Sequence, residues 1–142
     1  MRANVKTILA LALLFLPVLA LADGKVVPYD KLPVEARSFI KEHFGSEKVL
    51  QVTVEWNEYE VLFSDMSTVE FDRSGNWKEV KCRQKAIPEP VIPSRILSYV
   101  KEVFPGRFIT RIERSRRGYE VKLDNGLELE FDRNCNFFRI DD

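Results

Sequence analysis

The sequence predicts an α+β protein: two tandem α-β-β-β-β repeats merging into one eight-stranded antiparallel sheet, with two helices on one face and the other face open. Three observations carry that prediction. Tyr59-Glu60-Val61 and Glu70-Phe71-Asp72-Arg73 return sixty residues later as Tyr119-Glu120-Val121 and Glu130-Phe131-Asp132-Arg133. Residues 32–82 align with 92–142 without a gap, with 13 of 51 positions identical, which reads as duplication of one structural unit. Within each unit the apolar period changes from 3.6 to 2, from helix to strand.

The chain starts with Arg2 and Lys6, runs through the apolar stretch Ile8 to Leu21 and reaches Ala20-Leu21-Ala22 before Asp23. That is the pattern of a secretory signal peptide over 1–22, cleaved after Ala22. The apolar run is about 15 residues and contains Pro17, shorter than the roughly 20 that a membrane span needs. A soluble periplasmic protein is expected, with no membrane span after cleavage. Residues 23–142 carry 20 Lys+Arg against 22 Asp+Glu, a balance that argues against a nucleic-acid partner.

The first unit, 23–82, contains Leu32-Pro33 and then Ala36, Phe39, Ile40 and Phe44 at helical spacing, ending near Gly45. Leu50, Val52 and Val54 then alternate with polar residues, as do Tyr59, Val61 and Phe63, then Val69 and Phe71; a fourth strand runs from Trp77 to Cys82. Turns fall at Asn57, Ser64–Ser67 and Ser74-Gly75. A linker over 83–91, stiffened by Pro88 and Pro90, leads to the second unit, 92–142. There Ile92-Pro93 opens the unit, Ile96, Tyr99, Val100, Val103 and Phe104 form the helical stripe, and Asp124-Asn125-Gly126 supplies a tight turn. One unit of about 50 residues is marginal alone, which favours the merged sheet over two separate small domains.

The tandem units, the Tyr-Glu-Val strand and the Glu-Phe-Asp-x-x-Gly-x-Trp turn from Glu70 to Trp77 resemble the PepSY-like, β-lactamase-inhibitor-like family of periplasmic proteins of Bacteroides type. The resemblance covers essentially the whole chain after residue 22. It implies a fold similar to β-lactamase inhibitory protein, a periplasmic location and no established catalytic activity. The second copy departs from the pattern: Cys135 stands where the turn has Gly75, with Asn134 or Asn136 expected to take up the unusual backbone angle.

If Tyr59, Val61, Val69 and Phe71 face the helices, period-2 geometry sends their neighbours to the open face. The candidate binding face is then Glu60, Glu70, Trp77, Glu79, Glu120, Lys122, Glu130, Phe137 and Arg139, with Trp77 and Phe137 as paired aromatic anchors in a charged surround. Cross-strand packing without a binding role is the plain alternative for the two rings. Asp72-x-Ser74-x-Asn76 and Asp132-x-Asn134-x-Asn136 have the oxygen spacing that opens a calcium loop. Trp77 or Phe137 occupies the position where that loop needs Gly, so Asp72 and Asp132 are weak metal candidates and a solvated hairpin turn is the better reading.

Arg107, Arg111, Arg114, Arg116 and Arg117 give copy two a net +1 against −4 for copy one, and are expected to pair with the acidic strands. His43, the lone histidine, reads as an exposed helix-end residue. Glu60/Glu70 and Glu120/Glu130 could form carboxylate pairs, but an open face desolvates them little, and no cofactor motif occurs. Cys82 and Cys135 are either a disulfide, which export permits, or two free thiols. The function expected is a non-enzymatic binding module, inhibitor-like, with an unidentified protein or peptide partner. A ligand- or calcium-binding sensor is the alternative, and monomer or weak dimer the expected state.

Overall fold

A computed structural model describes residues 24–141; the signal-peptide reading of 1–22 lies outside the described residues. The chain forms one antiparallel sheet of nine strands in simple sequence order, each strand hydrogen-bonded to the next. The strands are β1 (Lys25–Val27), β2 (Val49–Glu55), β3 (Glu58–Phe63), β4 (Thr68–Phe71), β5 (Trp77–Lys81), β6 (Ile109–Ser115), β7 (Gly118–Leu123), β8 (Glu128–Asp132) and β9 (Phe137–Asp141). The helices are α1 (Val34–Phe44) and α2 (Ser94–Val103), each preceded by a short 3-10 turn. Eight strands are the expected ones. The ninth, β1, pairs Lys25, Val26 and Val27 with Val54, Thr53 and Val52 at one edge. Three residues before Pro28 are too few for a period-2 signal.

The helix stripes pack on the alternate strand residues in one continuous core. Ala36, Ile40, Phe44, Ile96 and Val100 are buried together with Val61, Phe63, Val69, Phe71, Val121, Leu129 and Phe131. The two units use the same aromatic geometry: Phe39 meets Phe71 edge-on at 5.5 Å, and Tyr99 meets Phe131 edge-on at 5.4 Å. Phe44 stacks on Phe63 at 4.7 Å. His43 lies against Phe39 at 4.6 Å with only 12% of its side chain exposed, so the expected surface cation is a packed ring.

The copies are joined through the sheet. Glu79, Val80 and Lys81 of β5 pair with Glu113, Ile112 and Arg111 of β6, and Val80 and Ile112 have no exposed surface. The segment between them contributes as well: Cys82 N–H donates to Thr110 O at 2.8 Å, and Ile87 N–H to Ile109 O at 2.9 Å. Cys82 and Cys135 are free thiols, the first buried and the second half-buried.

Bulges depart from simple alternation. The register shifts between Val49 and Gln51, so Val49 pairs with Phe63 while Leu50 is turned out and 56% exposed. Opposite Glu70 and Phe71, residue Lys78 is extra, and opposite Glu130 and Phe131 the extra residue is Phe138. One added residue reverses the faces of everything beyond it. Trp77 therefore pairs with Phe71, and Phe137 with Phe131, on the helix side. Phe137 stacks on Tyr99 of α2 at 4.8 Å, and Trp77 packs against the core.

Gly75, at φ +92, lies so close to the start of α1 that a Cβ there would come within 2.9 Å of Ala36 N. In copy two Cys135 itself adopts the left-handed conformation, φ 63, and neither Asn134 nor Asn136 does.

Candidate functional site

The face opposite the helices is uncovered by any other element among the described residues. In copy one it is acidic. Glu60 pairs across the sheet with Thr53 and Glu70, and Glu58 with Glu55. These residues, with Gln51 and Trp56, line a shallow depression of about 380 Å³. Trp56 sits at the tip of the β2–β3 hairpin, where it and Asn57 have φ of 52 and 62, and it is 91% exposed. A large side chain held in a left-handed turn and shown to water is uncommon. Trp56 is thus an exposed aromatic on the rim of this face, whereas Trp77 and Phe137 are not. Its signal in the sequence was a tryptophan beside a turn asparagine, but its counterpart is Arg116 and the repeat did not point to it.

Lys78 bonds Glu58 and lies 3.8 Å from Glu70. Glu70 is pushed up to about 7, first by burial and then by the hydrogen bond and charge of Glu58; Glu58, holding the Lys78 ammonium, is lowered. One proton is thus shared between two converging carboxylates. The expectation that an open face leaves its acids unperturbed fails here: Glu70 is half-buried beside Glu58, and Lys78, sent over both by the bulge that flips Trp77, lowers Glu58 and only partly offsets the rise at Glu70. Glu60, nominated as the partner of Glu70, is exposed and makes no ion pair among the described residues.

At the seam between the copies Arg111 is surrounded by three carboxylates: Glu79 at 3.0 Å, Glu120 at 3.1 Å and Glu113. Burial raises Glu113 even so. Arg107 pairs with Asp124 at 3.3 Å, and Arg114 lies 4.4 Å over the Trp77 ring while donating to Trp77 O. Most of the cluster therefore pairs with its own sheet. Glu130 holds Arg139. Lys81, Arg83 and Lys122 have no ion-pair partner among the described residues and border a second depression, of about 700 Å³. The face is acidic around β3 and β4 and carries unpaired cations near the seam between the copies.

Asp72 and Asp132 bind their own hairpins. Asp72 Oδ1 accepts from Ser74 N–H at 2.9 Å and Asn76 N–H at 3.0 Å; Asp132 Oδ1 accepts from Asn134 and Asn136 N–H at 2.9 Å each. At Asp72 burial is the largest influence and raises the carboxyl, yet the amides of Asn76 and Ser74 together hold it below the usual range. These oxygens are engaged by the backbone of their own turns, and no group of three His, Cys, Asp or Glu side chains placed to hold a metal occurs among the described residues.

Residues 21–61 and 57–139 match, in tandem, a family described as "Putative beta-lactamase-inhibitor-like, PepSY-like". Three solved structures share the fold at TM-score 0.81. One, described as a "putative periplasmic protein of unknown function", is from Bacteroides vulgatus, 37% identical over 84% of this chain and 99% of that one. One, described as a "putative calcium-regulated periplasmic protein", is from Bacteroides thetaiotaomicron, 40% identical over 84% and 98%. The third, a DUF2874-family protein of Bacteroides vulgatus, is 38% identical over 86% and 99%. No curated protein matches the chain.

Proposed function

The chain belongs to the PepSY-like, β-lactamase-inhibitor-like family, and from that membership we propose that it is an exported, non-enzymatic binding module whose open sheet face engages a protein or peptide. Fold alone does not carry function; the observation that carries this reading is Trp56, 91% exposed at the rim of an acid-lined depression on an uncovered sheet. A rigid aromatic beside carboxylates without an ion-pair partner among the described residues, here Glu55 and Glu60, is the composition of an interface hot spot. The acidic end near Trp56 and the unpaired Lys81 and Lys122 farther along suit a partner of reversed charge order. An inhibitor-like mode is the same reading with an enzyme as the partner.

A photo-crosslinking residue at position 56, introduced in the periplasm, tests it. A discrete adduct is expected that weakens with Glu60→Lys and is missing when the probe replaces Val34, an exposed residue of α1. No adduct, or the same adducts from both positions, would count against the open face. The periplasmic location of the solved relatives supports export of this chain, and N-terminal sequencing of the mature protein should begin at Asp23.

A second reading, a cation sensor, rests on the proton-sharing pair Glu58 and Glu70 and on the calcium regulation stated for the Bacteroides thetaiotaomicron relative. Calorimetry with millimolar calcium decides it: absence of both heat and thermal stabilisation removes it.

A further inference from the structure

We propose that two copies of the chain associate by pairing their β9 strands antiparallel about Ile140, joining their sheets edge to edge. Among the described residues the nine-stranded sheet has two free edges, and they are not alike. At one, β1 is three residues long, begins with Lys25 and is stopped by Pro28, which are the usual devices that discourage strand addition. At the other, β9 has five residues and neither Lys nor Pro, with Phe138 58% and Ile140 43% exposed.

The backbone of β9 is aimed outward at Ile140. Leu123 N–H donates to Leu127 O to close the β7–β8 hairpin. Ladder bonds alternate along an antiparallel pair, so Val121 and Leu129 exchange theirs and Leu129 directs its N–H and C=O to β7. Ile140, opposite Leu129 on the other side, therefore presents its own N–H and C=O to the free edge.

The duplication shows what such an edge accepts. Val80 is the counterpart of Ile140, and there Cys82 N–H donates to Thr110 O, so Val80 in turn directs its backbone to β6. Val80 has no exposed surface, against 43% for Ile140. The difference is the cover that β6 supplies and that β9 lacks.

A second copy of β9 fits this edge by charge. Centring the pair on Ile140 sets Ile140 against Ile140 of the second copy, Arg139 against the second copy's Asp141, and Asp141 against the second copy's Arg139. Arg139 and Asp141 share the open face, opposite Glu130 and Glu128, and lie 3.6 Å apart with 59% and 45% of their side chains exposed. Paired residues of an antiparallel ladder keep their side chains on the same side, so the two open faces become one continuous face.

Sedimentation velocity on the full exported protein over a concentration series tests the proposal. A monomer–dimer equilibrium is expected, weak because a single strand pair buries less than a standard interface. Asp141→Arg adds a cation opposite Glu128 within the chain but sets arginine against arginine between copies, so it should weaken self-association at least tenfold without loss of fold. Mixing it with Arg139→Asp should restore a heterodimer in which both charge pairs are re-formed. Hydrogen exchange at the Ile140 amide should slow with rising protein concentration. A chain that stays monomeric to about 1 mM, an Asp141→Arg variant that associates as the wild type does, or protection of Ile140 only on adding a foreign peptide overturns it.

Discussion

Replacing Glu70 with glutamine removes the proton that Glu58 and Glu70 share, and the outcome has a definite sign. The folded pKa of Glu70, about 7, lies above its ordinary 4.5. Between those values the folded chain binds more protons than the unfolded chain, so stability falls as pH rises from about 4.5 to about 7 and stays reduced above. At full weight the displacement corresponds to ~3 kcal/mol. The Glu70 side chain is 34% exposed and Glu58 recovers part through Lys78, so screening brings the expected effect to ~1.5 kcal/mol. Glutamine keeps the size of the protonated acid and can donate to Glu58 as it does. Urea unfolding followed by tryptophan fluorescence should give Glu70→Gln the wild-type midpoint near pH 5 and a midpoint about 1 M higher at pH 8. An offset independent of pH, or none at pH 8, refutes the shared-proton argument.

Other residues make sharper local predictions. Gly118→Ala places a Cβ 2.1 Å from Phe131 O at φ +140, and calorimetry should show a loss of ~2 kcal/mol or more. Cys135→Gly relieves a left-handed non-glycine residue at φ 63 and should raise the melting temperature, corresponding to ~1 kcal/mol. Arg111→Gln leaves Glu79, Glu113 and Glu120 facing one another; a loss of ~2 kcal/mol at pH 8 is expected, shrinking toward pH 4 as Glu113, raised by burial, protonates.

The repeat made most of the architecture readable. A constant offset of sixty held because each copy keeps the same loop lengths, and the alternation of Tyr59, Val61, Val69 and Phe71 marked the core side correctly. The same constancy hid the bulges. Lys78 and Phe138 are extra at matching places, so comparing the copies leaves no gap to betray them, and Trp77 and Phe137 are assigned to the wrong face. Alternation reads residue count, whereas facing depends on register with the neighbouring strand, which is a long-range property. Trp56 was unread for a different reason: its exposure depends on two successive positive φ angles that asparagine alone signals weakly. The acidity of the open face was legible, and Glu60, Glu70, Glu79, Glu120 and Glu130 all lie there. The perturbation of Glu70 was not, since it arises from burial and from the nearness of Glu58, neither of which alternation reports.

Every strand pairs only with the strands next to it in the chain; six of the eight pairings close across a short turn, whereas β1–β2 and β5–β6 each span a helix. The six hairpins close small loops one after another, and the two pairings that span a helix carry the larger closure cost. A chain emerging N-terminus first can lay down α1 and its strands before the second unit exists. β5 is then the growing end of the sheet until β6 arrives, and the rate of that one addition separates a half-built molecule with an open Val80 from the finished one.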